Sequence, residues 1–264
     1  MQTELEQVRW YDRIWASFIF FTRLPFYRLH QPPIESYQAV VEFWPLTGWL
    51  TGGLMAATLW VGSMYLPYIV AVLLAIVVRL LVTGALHEDG LADFLDGFGG
   101  GSERERILAI MKDSHIGTYG VVSLIFYFML LFFTLCTLPP HMAALSVLAV
   151  DPYAKMVSSQ LIIMMPYART ADTAKNHTVY RRPSTAASIG LAVQGLLPLA
   201  VFLYLMRSYV EWSSVVFAPC IVMYFLYLLI WRRLRGYTGD CCGAVCLLTE
   251  LAPLLCILAN VNIE

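Results

Sequence analysis

The sequence predicts an all-α fold: a polytopic integral membrane helix bundle with about seven transmembrane helices, preceded by an interfacial helix near the N-terminus. Two observations support this prediction. Of the 264 residues, 59% are hydrophobic and only 13% are charged, whereas soluble domains carry about 25% charged residues. The apolar residues also form runs of roughly the 20 residues that a membrane-crossing helix needs. We expect one membrane domain over residues 1–264.

The apolar runs give the expected positions of the helices. The first run, 14–27, is too short to cross a membrane and is broken by Arg23 and Pro25, so we expect a helix at the membrane surface. The seven runs that we expect to cross the membrane are 41–62, 67–86, 117–138, 141–166, 186–206, 211–231 and 243–262.

The basic residues predict the orientation. Seven spans place fourteen of the seventeen Lys and Arg residues on one side, in the N-terminal segment and in the loops 87–116, 167–185 and 232–242. Lys and Arg are concentrated in cytoplasmic loops, so we expect these loops, including the acid-rich loop 87–116, to face the cytoplasm. The net charge of −1 argues against a nucleic-acid partner. The sequence leaves the oligomeric state open.

An acid-rich stretch, 86–120, stands out against the apolar chain. Within it, Asp89, Asp93 and Asp96 have the spacing i, i+4, i+7, which on a helix places them within about 60° of one another and over about 10 Å. Three carboxylates on one face repel one another unless a cation lies between them, and hard oxygen ligands suit Mg²⁺ or Mn²⁺. The spacing therefore predicts a metal site. The alternative is a solvated loop.

A second helix is expected shortly after this face. Gly99, Gly100 and Gly101 are expected to end the first helix. Ser102 and Glu105 have the spacing of a capping box, which predicts a helix over 103–113.

Three other polar features are candidates for binding. The turn Arg235–Asp240, with Thr238 and two glycines at the start of a helix, suits a phosphate or a plain turn. Asp151 and Lys155 lie one turn apart inside a predicted span, where ionisable groups are either functional or a mutually satisfied pair. Arg169 could bind phosphate. We expect Arg79 to extend to the cytoplasmic surface.

Several segments resemble the cobalamin synthase family, also called adenosylcobinamide-GDP ribazoletransferase. The most specific are HEDGLADFLDG at 87–97, MKDSHIGTYG at 111–120 and GYTGDCCGA at 236–244. FFTRLP at 20–25, WPLTGWLTGG at 44–53 and YAR at 167–169 also resemble family landmarks, so the resemblance extends over nearly the whole chain. His115 and Lys155 stand where the family pattern has Arg.

The resemblance implies a Mg²⁺-dependent transferase of the cytoplasmic (inner) membrane that acts in cobalamin biosynthesis. Its substrates would be adenosylcobinamide-GDP and α-ribazole or α-ribazole 5′-phosphate, and its products adenosylcobalamin or its 5′-phosphate and GMP. The implied metal ligands are Asp89, Asp93 and Asp96, and the implied catalytic residues are Asp113 (as ligand or general base) and Asp96. The implied substrate-binding residues are Lys112, Lys155, Arg169, Thr238 and Asp240, and Asp240 could also complete the metal ligands.

Two alternatives remain open. A membrane phosphotransferase of CDP-alcohol type also places spaced Asp residues around Mg²⁺, although its D-G-x-x-A-R pattern is not met after Asp89 and Gly90. An ion-coupled transporter would be supported by Asp151 and Lys155 alone, because transporters concentrate polar groups near the bilayer midplane.

Overall fold

The computed structural model describes residues 8–169 and 180–261, and over these ranges the chain is almost entirely helical. The ten α-helices of these ranges are α1 (Trp10–Phe21), α2 (Trp44–Tyr65), α3 (Tyr68–Thr83), α4 (Leu86–Gly100), α5 (Arg104–Lys112), α6 (Thr118–Thr137), α7 (Pro140–Met164), α8 (Thr185–Leu205), α9 (Trp212–Leu234) and α10 (Gly239–Asn260). Two 3-10 helices, Phe26–Arg28 and Ile34–Phe43, join α1 to α2. The prediction of an all-α membrane helix bundle is confirmed.

Seven long helices lie where membrane spans were predicted, but fewer of them meet the requirements of a span. In the part of the chain that the structure describes, α6, α8, α9 and α10 are long and apolar enough to cross a membrane. A fifth crossing results if α3 and α4, which are bent by 87° relative to each other, form one broken span. Length and composition therefore support four or five crossings rather than seven.

The helices that fall short include the two at the centre of the bundle. α2 and α7 pack extensively against each other, and most residues of α7 are buried. A helix that is surrounded by protein needs no apolar outer surface, which explains why α7 tolerates Asp151, Lys155 and Ser158. Gly48 and Gly52 allow the close approach: a Cβ on Gly48 would lie 2.8 Å from the Cα of Pro152.

The N-terminal helix lies earlier in the chain than predicted. α1 comprises 12 residues, Trp10–Phe21, so the expected segment 14–27 contains its last eight residues and the turn that follows. Its length is well below the roughly 20 residues of a span. Arg23 and Pro25 follow the helix rather than interrupting it. Proline disfavours helical conformation in the residue before it, which agrees with a helix that ends before Pro25.

A sharp bend between α3 and α4 brings the acid-rich helix across the end of the bundle. Gly84 and Ala85 both adopt left-handed backbone conformations, with φ of 64° and 55°. A side chain on Gly84 would also collide with that of Arg23, since its Cβ would lie 2.3 Å from Nε. The bend places α4 against α5, α6 and α10.

α5 confirms the predicted second helix but not its predicted cap. The capping box of Ser102 and Glu105 is wrong: the N-cap residue is Glu103, and its side chain makes no capping hydrogen bond. Hydrogen bonds from an arginine side chain connect the start of α5 to neighbouring segments instead. Arg104 donates from Nε to the Leu234 carbonyl at 2.9 Å and from Nη2 to the Ala168 carbonyl at 2.6 Å. Carbonyls near helix ends lack partners within the helix and accept such bonds.

The basic loops meet at one end of the bundle. The main chain forms an isolated parallel bridge between Tyr167 and Tyr237, with Ala168 N donating to Tyr237 O at 2.8 Å. Arg233 ties the start of α5 to the same region through the Gly101 carbonyl. Lys175, one of the basic residues behind the predicted orientation, lies outside the described residues.

Candidate functional site

A cavity of about 130 Å³ lies at this end, between the first turns of α2, α4 and α10 and the segment after α7. We call it the inner cavity. Three of the predicted site residues line it: Asp89, Arg169 and Asp240. They come from three segments that are far apart in sequence. The fold brings them together, which their positions in the sequence did not predict.

Close packing of α4 on α10 brings the two carboxylates to the inner cavity. A Cβ on Gly90 would lie 3.1 Å from the Asp240 carbonyl oxygen, and one on Gly243 would lie 3.2 Å from the His87 carbonyl oxygen. Asp240 is buried in the first turn of α10, where the helix dipole favours a negative charge. Asp89, in contrast, is exposed.

Thr238 serves the helix that carries Asp240. It is the N-cap residue of α10, and its Oγ1 accepts a hydrogen bond from Cys241 N at 3.3 Å. Its hydroxyl also lies 3.5 Å from Asp240 Oδ2. Thr238 is completely buried, so its observed contacts orient Asp240, and its predicted role in binding substrate stays a prediction.

Arg169 is held at the cavity by α5. Its Nη2 donates to the Leu108 carbonyl at 3.0 Å, and the Tyr167–Tyr237 bridge fixes the main chain beside it. A guanidinium has five N–H donors, so this single bond leaves donors to bind an anion.

Aromatic rings form the buried wall of the inner cavity. The rings of Phe21, Trp44 and His87 are parallel to within 10°, with centroids 5.1 Å apart for Phe21–Trp44 and 5.8 Å for Trp44–His87. They come from α1, α2 and α4. The cavity thus lies between a stack of buried aromatic rings and charged groups.

Asp96 and Asp113 border a different, wider cavity of about 540 Å³. Asp96 is buried, and its carboxylate accepts hydrogen bonds from Gly117 N at 2.7 Å and Gly120 N at 2.9 Å. It therefore satisfies two of the unpaired main-chain donors at the start of α6. Neither residue lines the inner cavity.

Asp113 and His115 form an exposed pair at the rim of the wider cavity. His115 Nδ1 lies 2.6 Å from Asp113 Oδ1. This hydrogen bond, followed by the attraction between the two charges, raises the pKa of His115, and it lowers the pKa of Asp113. Lys112, the last residue of α5, is exposed beside them.

The expected cluster of three carboxylates is not assembled as a metal centre. Among residues 8–169 and 180–261, no three His, Cys, Asp or Glu side chains lie close enough together to hold a metal ion. α4 is helical as predicted, but its two ends meet different partners: Asp89 faces the inner cavity, whereas Asp96 binds the start of α6. Asp93 lies between them and is partly buried. The metal-ligand set stays a prediction.

Comparison with known proteins identifies the family. The family model described as cobalamin-5-phosphate synthase matches residues 13–258.

The chain belongs to the cobalamin-5-phosphate synthase family.

Curated relatives agree with this assignment. The chain is 32% identical over 262 residues to the adenosylcobinamide-GDP ribazoletransferase of Shewanella frigidimarina, covering 98% of both chains. It is 31% identical over 260 residues to the protein of the same name from Leptospira interrogans, covering 97% of this chain and 98% of the relative. No solved structure gives a significant match. The resemblance noted from the sequence motifs is confirmed.

The donor set at the inner cavity of this family member fits Mg²⁺. Mg²⁺ is usually bound by one or two carboxylates, with waters and substrate phosphates as its other ligands. Asp89 and Asp240 supply two carboxylates from different helices at one cavity. This fit needs no third protein ligand, and it combines Asp89 of α4 with Asp240, the residue that the resemblance had suggested could complete the metal ligands.

Lys155 lies in neither cavity. It is buried in α7, where it pairs with Asp151. Thr51 Oγ1 donates a short hydrogen bond of 2.5 Å to Oδ2 of the same Asp151. The observed contacts match the alternative of a mutually satisfied pair. The predicted role of Lys155 in binding phosphate stays a prediction.

A buried charge cluster escaped the sequence analysis. Arg79 does not extend to the surface as expected but is buried, with Nη1 2.5 Å from Glu250 Oε1 and Nη2 3.3 Å from Glu88 Oε1. Tyr127 accepts from the same guanidinium at 2.5 Å. An acidic residue inside an apolar span often marks such a site. Glu250 lies inside the predicted span 243–262 and could have indicated this cluster.

Proposed function

We propose that this protein catalyses the adenosylcobinamide-GDP ribazoletransferase reaction, the cobalamin synthase step. The adenosylcobinamide-phosphate part of adenosylcobinamide-GDP is transferred to α-ribazole or its 5′-phosphate, which yields adenosylcobalamin or its 5′-phosphate and GMP. One observation supports the proposal beyond family membership. The segments 87–97, 167–169 and 236–244 border one cavity that carries two carboxylates and a guanidinium.

The reaction requires groups that stabilise negative charge and a base that accepts one proton. A hydroxyl oxygen of α-ribazole forms a bond to the corrinoid-side phosphorus, the bond from that phosphorus to the GMP oxygen breaks, and the hydroxyl proton passes to a base. The chemistry that Mg²⁺ would supply when bound is neutralisation of negative charge on the reacting phosphates. Asp89 and Asp240, with Asp93 one turn along α4, are the residues that would hold it.

The other roles follow from position and charge. Arg169 binds a phosphate group through the donors that Leu108 leaves available. Asp113 is exposed and ionised at neutral pH, but it borders the wider cavity and its lowered pKa makes it a weak base. Its role as general base, and that of Lys112 beside it in binding an anion, stay predictions. The contacts of Asp96 support a positioning role: it fixes the start of α6, which leads directly from the loop that carries Asp113.

The expected location of the site is the cytoplasmic face of the cell membrane. The loops that carry most of the Lys and Arg residues lie at the same end of the bundle as the inner cavity. That arrangement supports the orientation predicted by the excess of basic residues in cytoplasmic loops.

A GMP-release assay tests the proposal. Purified protein in lipid nanodiscs should release GMP from adenosylcobinamide-GDP only when α-ribazole and Mg²⁺ are both present, and EDTA should stop the release. Asp89→Asn and Asp240→Asn should each lower kcat at least about a hundredfold, because a catalytic metal supplies several kcal/mol of transition-state stabilisation. Glu105→Gln, at an exposed carboxylate of α5, is the matched control and should keep full activity.

Two results would contradict the proposal. Absence of GMP under the complete conditions with folded wild-type protein would reject the reaction. Full activity of both Asp89→Asn and Asp240→Asn would reject the assignment of Mg²⁺ to the inner cavity while leaving the reaction itself intact.

A further inference from the structure

We infer that Glu88 is a positioning residue for the metal ligands. Its hydrogen bond to the buried guanidinium of Arg79 sets the rotation of α4 about its axis, and so directs the Asp89 carboxylate into the inner cavity. The inference rests on the proposed function, because Asp89 is one of the two carboxylates assigned there to Mg²⁺. Neither the family match nor the names of the relatives assign a role to Glu88 or Arg79.

The first turn of α4 is not held by a capping side chain. Its N-cap residue is Ala85, which makes no side-chain capping bond, whereas Ser, Thr, Asp or Asn usually serve at this position. Close packing against α10 occurs at Gly90. Glycine allows two helices to approach closely but supplies no side chain that would interlock and resist rotation. The rotational setting of α4 therefore depends on its side chains that point into the bundle.

Glu88 is the charged side chain of this turn that points into the bundle. It is buried, with 4% of its surface exposed, and its Oε1 accepts a hydrogen bond from Arg79 Nη2 at 3.3 Å. Its other oxygen, Oε2, is buried without a hydrogen-bond partner among the described residues. A buried carboxylate without a paired charge is strongly unfavourable. A rotation of α4 that breaks the bond to Arg79 is therefore costly.

Arg79 is itself fixed by contacts with two other helices. Its Nη1 donates to Glu250 Oε1 of α10 at 2.5 Å, and its Nη2 donates to the Tyr127 hydroxyl oxygen of α6 at 2.5 Å. α10 also carries Asp240, the second carboxylate of the inner cavity. One guanidinium thus joins the two helices that carry these carboxylates, through Glu88 on α4 and Glu250 on α10.

The position of Asp89 follows from that of Glu88. Consecutive residues of an α-helix point about 100° apart around the axis. With Glu88 directed at the charge cluster inside the bundle, Asp89 is exposed and lines the inner cavity. Mg²⁺ requires near-ideal octahedral geometry with ligand distances of about 2.0–2.1 Å. A rotation of α4 that moves the Asp89 carboxylate relative to Asp240 should therefore weaken binding of the ion.

Glu88 could also act through its charge alone, because a carboxylate near the inner cavity attracts cations without any contact. Substitution by Gln separates the two explanations. The amide oxygen of Gln accepts a hydrogen bond from a guanidinium but carries no charge. Glu88→Gln should therefore keep the position of Asp89, whereas Glu88→Ala removes both the hydrogen bond and the charge.

Direct metal binding is the first test. Mn²⁺ prefers the same oxygen ligands as Mg²⁺, and its binding to protein in nanodiscs can be measured by electron paramagnetic resonance in the absence of substrate. Loss of a group that orients a metal ligand typically costs about 10–100-fold in metal affinity. Because Glu88 acts through the helix, we expect the lower end of this range. Glu88→Ala should raise the Kd for Mn²⁺ about tenfold, and Glu88→Gln should stay within about threefold of the wild type.

Tyr127→Phe is the matched control for a general loss of stability. It removes a hydrogen bond to the same guanidinium but leaves the bonds of Arg79 to Glu88 and Glu250 in place. Its Kd for Mn²⁺ should stay within about twofold of the wild type, because the connection to α4 is intact. Glu88→Ala should still fold, since Arg79 remains paired with Glu250 and the variant removes one buried negative charge.

Kinetics give a second readout. The Mg²⁺ concentration for half-maximal GMP release should rise about tenfold in Glu88→Ala, and saturating Mg²⁺ should recover most of kcat. The KM for α-ribazole should change less than about twofold, because the substitution acts on the metal ligand. A variant that merely unfolds a fraction of the protein would lower kcat without changing the Mg²⁺ requirement.

Three results would overturn the inference. The first is an unchanged Kd for Mn²⁺ in Glu88→Ala. The second is an equal loss of affinity in Glu88→Gln, which would assign the effect to charge rather than position. The third is an equal loss in Tyr127→Phe, which would assign it to the stability of the bundle.

These outcomes are distinct from failure of the proposed function. If wild-type protein releases no GMP under the complete conditions, the reaction is rejected. If the wild type does not bind Mn²⁺, or Asp89→Asn binds it as tightly as the wild type, the metal site at the inner cavity is rejected. If Asp89→Asn weakens binding and Glu88→Ala does not, the metal site stands and only the positioning role of Glu88 is rejected.

Discussion

Asp113 and His115 are close together in sequence, and their pairing depends on the local turn after α5. Their ring nitrogen and carboxylate oxygen lie 2.6 Å apart although both side chains are mostly exposed. Because the pKa of His115 is raised, the stabilisation from the charged pair is fully present below the ordinary His pKa. It is lost as the pH rises through the raised pKa of His115. The pair is also lost at low pH, because the Asp113 carboxylate takes up a proton as the pH falls through its lowered pKa.

The pairing of Asp113 with His115 can be tested by removing the Asp113 charge. Asp113→Asn should lower the pKa of His115 towards the ordinary value of about 6.5, because the variant removes both the charged hydrogen-bond partner and the attraction. NMR titration of labelled His115 in nanodiscs measures the change. Ser114→Ala, between the two residues, is the control and should leave that pKa as in the wild type. An unchanged His115 pKa in Asp113→Asn would show that the pair does not form.

At the scale of elements, α4 shows what residue spacing can and cannot predict. The spacing of Asp89, Asp93 and Asp96 correctly predicted a helix, which is Leu86–Gly100. It could not predict which elements would pack on each end, because that depends on the 87° bend at Gly84 and Ala85. The inner cavity likewise depends on contacts between segments 87–97 and 236–244, which no local pattern encodes.

The element-scale prediction tests the contact between α4 and α6. Asp96→Ala removes the acceptor of two main-chain N–H groups at the start of α6, and loss of a helix cap costs about 0.5–2 kcal/mol. The variant should therefore unfold at a lower temperature in detergent, as measured by circular dichroism. Glu103→Ala is the matched control, since Glu103 is an N-cap residue without a side-chain capping bond. Equal unfolding temperatures for wild type and Asp96→Ala would contradict the capping role.

At the scale of the whole molecule, composition predicted the class of fold, whereas only four or five of the helices in the described residues have the length and hydropathy of a membrane span. Apolar runs identified the positions of all seven long helices, because helix length and hydrophobicity are local properties of the sequence. They could not distinguish a helix that faces lipid from one that is mostly buried among other helices, as α7 is. The buried contacts of Arg79 were missed for the same reason: its partners, Glu88, Tyr127 and Glu250, come from three other helices.

That buried cluster links α3, α4, α6 and α10, so its integrity should matter for the stability of the whole bundle. Arg79→Ala would leave the carboxylates of Glu88 and Glu250 buried without their counter-charge, and breaking a buried pair in this way costs about 3–5 kcal/mol. We therefore expect a large fall in the unfolding temperature of the detergent-solubilised protein. Tyr127→Phe removes only one hydroxyl and should cost about 1–3 kcal/mol. Arg207→Ala, at an exposed arginine, is the control and should have almost no effect.

Combined variants show whether the cluster acts as a unit. If Arg79 and Glu250 interact directly, adding Glu250→Gln to Arg79→Ala should cost less than Glu250→Gln does alone, because the first change has already removed the partner and the second removes an uncompensated charge. The difference between the double variant and the sum of the single variants, measured by thermal unfolding, gives the coupling. Strictly additive losses would mean that the two side chains stabilise the bundle independently, and the 2.5 Å contact between them would then contribute nothing of its own.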